Sequence, residues 1–252
     1  MTTVTYEPVG RCIYCGAVEN DLRKEHIIPR GLKGIHVLPK ASCKKCEAIT
    51  GQIEQICLRH MLGKFRRRAG FRTKKPKEQP ATLPLTIIKL GGERETKEVP
   101  VSDLPYSLSL PVLPHPGILL GNEPSADLTL KAWCWGKDMK TEIKKHGGIG
   151  LEMGMIQPSA FMRMLAKIAH AHVVATSGLS AFRPLLTDFI LNGSETPGHL
   201  VGGFPEVPPW EKALHRLTVH IQKAGGTKYV VVDLRLLAQL GAPVYQIVVG
   251  EP

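Results

Sequence analysis

The chain has 252 residues, enough to bury a real core in one or two domains, and its mean hydropathy of −0.05 is that of an ordinary soluble protein. No apolar run reaches the ~20 residues of a membrane span, and no charged-then-apolar leader opens the sequence, so a cytoplasmic protein is expected. The net charge of +11 is unevenly placed: residues 1–77 hold 17 Lys and Arg against 6 Asp and Glu, while residues 78–252 hold 16 of each. A basic segment joined to a neutral one points to a polyanionic partner at the basic end.

Taken in order, residues 1–10 are a short polar lead-in. From Arg11 to Pro39 the glycines at 16, 31 and 34 permit turns, and Ile27, Ile28 and Val37 favour extended backbone, so a knuckle and a hairpin-like finger are expected. A helix is expected from near Cys46, with Ile49, Ile53, Ile56 or Cys57, Met61 and Phe65 forming one buried stripe. Its end is basic, with Arg66, Arg67 and Arg68 followed by Arg72, Lys74, Lys75 and Lys77. Cations suit a helix C-terminus, and they suit a phosphate-contacting face equally well. Pro76 and Pro80 read as a linker, giving expected domains at 1–77 and 78–252.

Beyond the linker, Leu83–Leu90 and Thr96–Val101 suggest a hairpin, and the proline-rich run Leu104–Pro116 reads as irregular chain. Leu128–Trp135 alternates like a strand. Phe161–Val174 reads as a buried helix, and Ser180–Leu191 as a second helix with Pro184 in its first turn. Tyr229–Val232 and Val244–Val249 are short apolar strands. The fold class expected is α+β, with the second domain of unrecognised fold.

The chemistry concentrates near the N-terminus. Cys12-x-x-Cys15 and Cys43-x-x-Cys46 can offer four thiolates to one tetrahedral zinc. Four of the six cysteines in metal-type pairs argue against a disulfide framework. Cys57 and Cys134 stand alone and read as core. Between the two pairs lies Glu25-His26-Ile27-Ile28-Pro29. This set resembles the HNH (His-Asn-His, ββα-metal) endonucleases in their zinc-stapled branch, over about residues 10–70.

The resemblance implies a ββα-metal finger that hydrolyses phosphodiester bonds of nucleic acid, DNA ahead of RNA, leaving a 5′-phosphate. It gives His26 the role of general base. It makes Glu25 a ligand of a catalytic Mg²⁺ or Mn²⁺, with Glu47 completing that site from the start of the helix and His60 as the fallback. The family's middle asparagine is absent: the sequence there is His36-Val37-Leu38-Pro39, so a backbone carbonyl or His36 is expected to orient the base. Apart from the resemblance, an imidazole titrating near neutrality suits water activation, and an acid in a first helical turn is also favoured by the helix dipole.

Arg59, Arg66, Arg67 and Arg68 are expected to line a phosphate-binding groove. His170 and His172, two apart on a helix, make a poor metal pair. Trp133 and Trp135 could stack on bases, but they fit a half-buried strand better. Two rivals come from other classes: a silent zinc finger that only binds nucleic acid, and a C-terminal sensor domain that gates the finger.

Overall fold

The computed structural model describes residues 2–71, 78–128, 130–137 and 139–252. The expected linker proline Pro76 and the cations Arg72, Lys74, Lys75 and Lys77 lie outside them. The architecture is mixed α+β, built on open sheets.

The finger begins with β1 (Val4–Thr5), β2 (Arg23–His26) and β3 (His36–Ser42), in the order β1-β3-β2. β2 and β3 are antiparallel, with His26 opposite Val37. Between them Pro29 opens a 3₁₀ turn over Arg30–Leu32. Gly34 then passes so close to the chain after β2 that a Cβ there would sit 1.9 Å from the Ile28 carbonyl oxygen. No other residue fits that crossing.

Helix α1 (Lys44–Gln55) starts directly after Cys43, runs into a π-helical segment, Ile56–Met61, and continues as α2 (Gly63–Arg68). The buried stripe is Ile53, Cys57, Met61 and Phe65, while Ile56 is 37% exposed. A strict four-residue spacing outruns a 3.6-residue turn by about 40° at each step. The π segment, closed by Leu62 N–H to the Cys57 carbonyl, takes back that drift and keeps the stripe facing inward.

Next come β4 (Thr82–Ile88) and β5 (Arg94–Pro100), the expected hairpin, then β6 (Ser107–Val112), β7 (Lys131–Gly136), α3 (Met139–Lys145) and β8 (Gly150–Leu151). β8 joins β4, and β6 pairs with β7 through the run expected to be irregular. That ribbon has only two strands, so half the backbone groups of β6 face no partner strand, and Pro111 is tolerated there.

The remainder is α4 (Pro158–Ser177), β9 (Arg183–Pro184), α5 (Thr187–Asn192), β10 (Val201–Gly203), β11 (His215–Ala224), β12 (Thr227–Leu236) and β13 (Tyr245–Glu251). These strands form an antiparallel sheet in the order β10-β13-β12-β11, with β9 also on β13. Pro184 is therefore in an edge strand rather than in a first helical turn, and the helix starts later, at Thr187. β11 and β12 turn on Gly225-Gly226, both at positive φ, which is the backbone a two-residue hairpin demands.

Helix α4 lies at the centre, with Phe161, Leu165, Ile168, Ala169 and Val173 all buried. A helix buried on most of its circumference must be covered there. The sheet covers one side, where Phe161 meets the Tyr245 ring edge-on, and α1 covers another. One continuous core runs from Cys12, Ile53 and Phe65 through α4 to Val232 and Tyr245. The expected boundary at residue 77 thus does not separate two cores. A satellite core, Leu85, Ile87, Val99 and Leu104, lies under the β4–β5 hairpin.

Two histidines, His170 buried and His215 half-buried, fasten the finger to the rest. His170 Nε2 bonds the Ile13 carbonyl at 2.7 Å. His215 Nε2 bonds the Leu32 carbonyl at 2.7 Å, and its Nδ1 accepts from Leu237 N–H at 3.2 Å, which fixes a neutral ring. Burial pushes both rings down to about 4, and the carbonyl contact offsets only part of that. A histidine depressed in the folded state stabilises the fold above its unfolded value of about 6.5 and loses that contribution as pH falls towards 4. Thermal stability should therefore drop between pH 6.5 and pH 4, with each ring contributing on the order of a few kcal/mol. The double variant His170→Gln, His215→Gln should be less stable at pH 7 but show a flatter decline, as read by melting temperature against pH.

Candidate functional site: a cysteine cluster beside a cationic cleft

The first cysteine pair sits in a tight turn, with Gly16 N–H on the Cys12 carbonyl and Cys12 N–H on the Ala17 carbonyl. Ile13 N–H reaches the Ala41 carbonyl and sets that turn against the end of β3. The second pair opens α1. All four sulfurs lie within 4.8 Å of one another, with Cys15 exposed and the others buried. Cys15 Sγ and Cys43 Sγ are 3.7 Å apart. Sulfurs at roughly 2.3 Å around a tetrahedral zinc are separated by about 3.8 Å, so the cluster could hold a metal such as zinc. Burial pushes the Cys46 thiol far up, so binding a metal there must displace a proton.

A cleft of about 2050 Å³ opens beside this cluster, between β2, α1 and the π segment on one side and β4 and Leu151–Met155 on the other. Exposed Arg23, Lys24, Arg30, Lys44, Arg59 and Lys64 line it. His26, at the end of β2, is half-buried in its wall. Burial, the Lys167 ammonium, Arg30 and Lys24 together lower His26 to about 4, so the imidazole is neutral at pH 7.

Glu25, expected to ligate a divalent ion, borders the same cleft but turns its carboxylate inward to α4. It is buried, and its Oε1 lies 2.5 Å from Lys167 Nζ of α4. The same ammonium meets Glu54 Oε1 at 2.8 Å and the His26 carbonyl at 2.5 Å. Burial works against the ammonium, but the two carboxylates outweigh it and hold the proton above the ordinary lysine range. Burial pushes the Glu25 carboxyl upward, and Lys167 offsets part of that. The buried Tyr14 hydroxyl lies within reach of the Glu25 carboxylate and within electrostatic reach of Glu54.

Glu47 sits apart on α1, exposed and 3.5 Å from Arg23 Nε. Among the described residues the cysteines are the only group of three or more ligating side chains that converge. Glu25 and Glu47, the acids expected to hold Mg²⁺ or Mn²⁺, are each engaged by a cation of the chain, Lys167 and Arg23 respectively, and so do not fit that ion as they stand. His60 is exposed on the π segment and lines the cleft. His36, the expected substitute for the missing asparagine, bonds the Tyr6 hydroxyl at 3.1 Å through Nδ1, on the β1 side.

The arginine run also divides. Arg66 is buried, with Nε on the Gly31 carbonyl at 2.7 Å and Nη1 on the Leu58 carbonyl at 2.6 Å. Arg67 binds Gln79 and the Pro80 carbonyl, and Arg68 binds the Leu104 carbonyl with its guanidinium over Tyr106. Of the four arginines expected to meet phosphate, Arg59 faces the cleft with an exposed side chain, Arg66 and Arg67 also border it, and Arg66, Arg67 and Arg68 all brace backbone carbonyls. No family model, curated protein or solved structure matches this chain. No helix among the described residues is long and apolar enough to cross a membrane.

The sequence reading missed Lys167, Glu54, Tyr14 and Arg30. A signal for Lys167 was present: a lysine in the middle of an otherwise apolar helix requires buried acidic partners.

The cysteine geometry leads to a direct expectation. The purified chain should hold one tightly bound zinc per molecule by elemental analysis, and Cys43→Ser should lose it together with dispersed amide signals from residues 10–70.

Proposed function

We propose that the chain is an HNH-type endonuclease, hydrolysing phosphodiester bonds of nucleic acid, with DNA as the first substrate to test, and carrying a structural zinc on Cys12, Cys15, Cys43 and Cys46. The observation that supports this reading is a neutral imidazole, His26, at the end of the first strand of a strand–strand–helix finger, set in a cleft lined by cations. A neutral ring at pH 7 can accept the proton of an attacking water. Lys24 and Arg30, both close enough to act on that ring, would offset the charge that accumulates on the phosphorane. Because Glu25 and Glu47 are each engaged by a cation of the chain, no step is assigned to a divalent ion on them, and Glu25 acts here through Lys167 as a support for β2.

A second reading, a finger that binds nucleic acid without cutting it, is favoured by the engagement of Glu25 with Lys167. Plasmid nicking by the zinc-loaded protein, measured with Mg²⁺, with Mn²⁺ and with neither, separates the two. The enzyme reading requires nicking that falls by ~10²–10⁴ in His26→Ala while binding persists. Cleavage by His26→Ala at the wild-type rate would remove His26 from the mechanism. An absence of nicking under all three conditions would leave the binding reading.

Binding itself tests the cleft. Replacing Arg30, Arg59 and Lys64 with alanine should flatten the slope of log affinity against log salt by about 3 and weaken binding regardless of sequence. Arg66→Ala should instead lower the melting temperature, because two backbone carbonyls lose their donor. Equal slopes for the triple variant and the wild type would place the phosphates elsewhere.

A further inference from the structure

Around Lys167 Nζ the chain arranges four oxygens: Glu25 Oε1 at 2.5 Å, Glu54 Oε1 at 2.8 Å, the His26 carbonyl at 2.5 Å and the Ile27 carbonyl at 3.4 Å. Two carboxylates and two carbonyls are a donor set that hard divalent cations take. Here an ammonium takes it. Its three N–H groups match the three short contacts, with Ile27 as the long fourth. The lysine side chain is 1% exposed and that of Glu25 7%, so solvent does not compete for either. The lysine comes from α4, on the far side of the acids from the cleft-facing His26 ring, and it is 141 residues from His26 in sequence.

We propose that Lys167 is a resident cation filling an oxygen site at the end of β2, so that Glu25 and Glu54 are closed to divalent metal in the native chain and open to it once the ammonium is removed. The negative charge supports this. Two carboxylates face one ammonium, an excess that a divalent ion would neutralise in its place. The position also explains why the acid beside His26 does not join Glu47: its carboxylate is turned into the α4 interface and held there. In the native chain, cation binding at this point is therefore replaced by an internal contact that also sets the backbone of His26. The inference concerns occupancy of the acids and stands whether or not the chain cleaves nucleic acid.

The test is a Mn²⁺ titration of the zinc-loaded full chain, followed by the electron paramagnetic resonance of free Mn²⁺. Wild type and Glu25→Gln should give the same isotherm. Lys167→Ala should gain one Mn²⁺ bound at least tenfold more tightly than any site in wild type, and Lys167→Ala, Glu25→Gln should lose it. A wild-type Mn²⁺ site that Glu25→Gln removes would overturn the proposal, as would a folded Lys167→Ala that gains none. Should the lysine variant fail to fold, the wild type decides alone. A slowly exchanging lysine ammonium resonance, coupled by nuclear Overhauser contact to the His26 and Ile27 region, should persist unchanged in 10-fold excess Mg²⁺. Its absence or its loss on adding Mg²⁺ would refute the assignment.

Discussion

The arrangement of the N-terminal half depends on one desolvated ammonium. Lys167 cannot be stripped of water without acidic and carbonyl oxygen close by, and the chain supplies it from three places: Glu25 of β2, Glu54 of α1 and the carbonyl of His26. Satisfying that one group fixes the strand, the helix and α4 relative to one another. A buried pair of this kind is weak evidence for added stability, because desolvation offsets much of the attraction. Removing one partner is a different matter, since the other is then left charged and alone. The interaction is therefore best understood as a constraint on geometry. It sets the strand end from which the His26 ring enters the cleft.

The cysteine cluster and the arginines serve the same end by other means. The cluster ties the turn at Cys12 to the start of α1, and His170 then fastens that turn to α4. Arg66 links the 3₁₀ turn at Gly31 to the π segment at Leu58. His170 and Arg66 each do so by placing a side-chain nitrogen on the backbone carbonyl of a distant segment. Positive charge in this segment thus divides between two tasks. Arg66, Arg67 and Arg68 hold carbonyls, while Arg30, Arg59 and Lys64 face the cleft.

The local structure was largely legible in the sequence. Cysteine spacing led to the cluster, the three-and-four spacing after Cys46 led to the helix, and apolar runs led to the β4–β5 hairpin and to β12 and β13. What could not be read was whatever depended on distant partners. A glutamate before a histidine looks the same whether it faces a metal or a lysine 142 positions later, and only the fold decides. Three consecutive arginines likewise give no sign of which carbonyls lie nearby. β11 was missed because it is half-exposed and mixed in composition, although Gly225-Gly226 marks its turn. Packing across residue 77 was hidden for a related reason. Composition changes there, but the core is continuous across it.

The fasteners of the finger have a consequence for how the chain is made. The carbonyls of Ile13, His26 and Leu32 wait for side chains that lie 157, 141 and 183 residues downstream. At ribosomal rates of about 5–20 residues per second, the finger emerges on the order of ten seconds or more before its docking surface exists. During that interval Glu25 has no ammonium, and the apolar stripe of α1 has nothing to cover it. The cysteine cluster needs only residues 12 to 46, so metal capture can close the nascent segment before α4 emerges. A metal bound by the cluster would therefore shorten the time for which this unfinished segment stays exposed to chaperones and proteases.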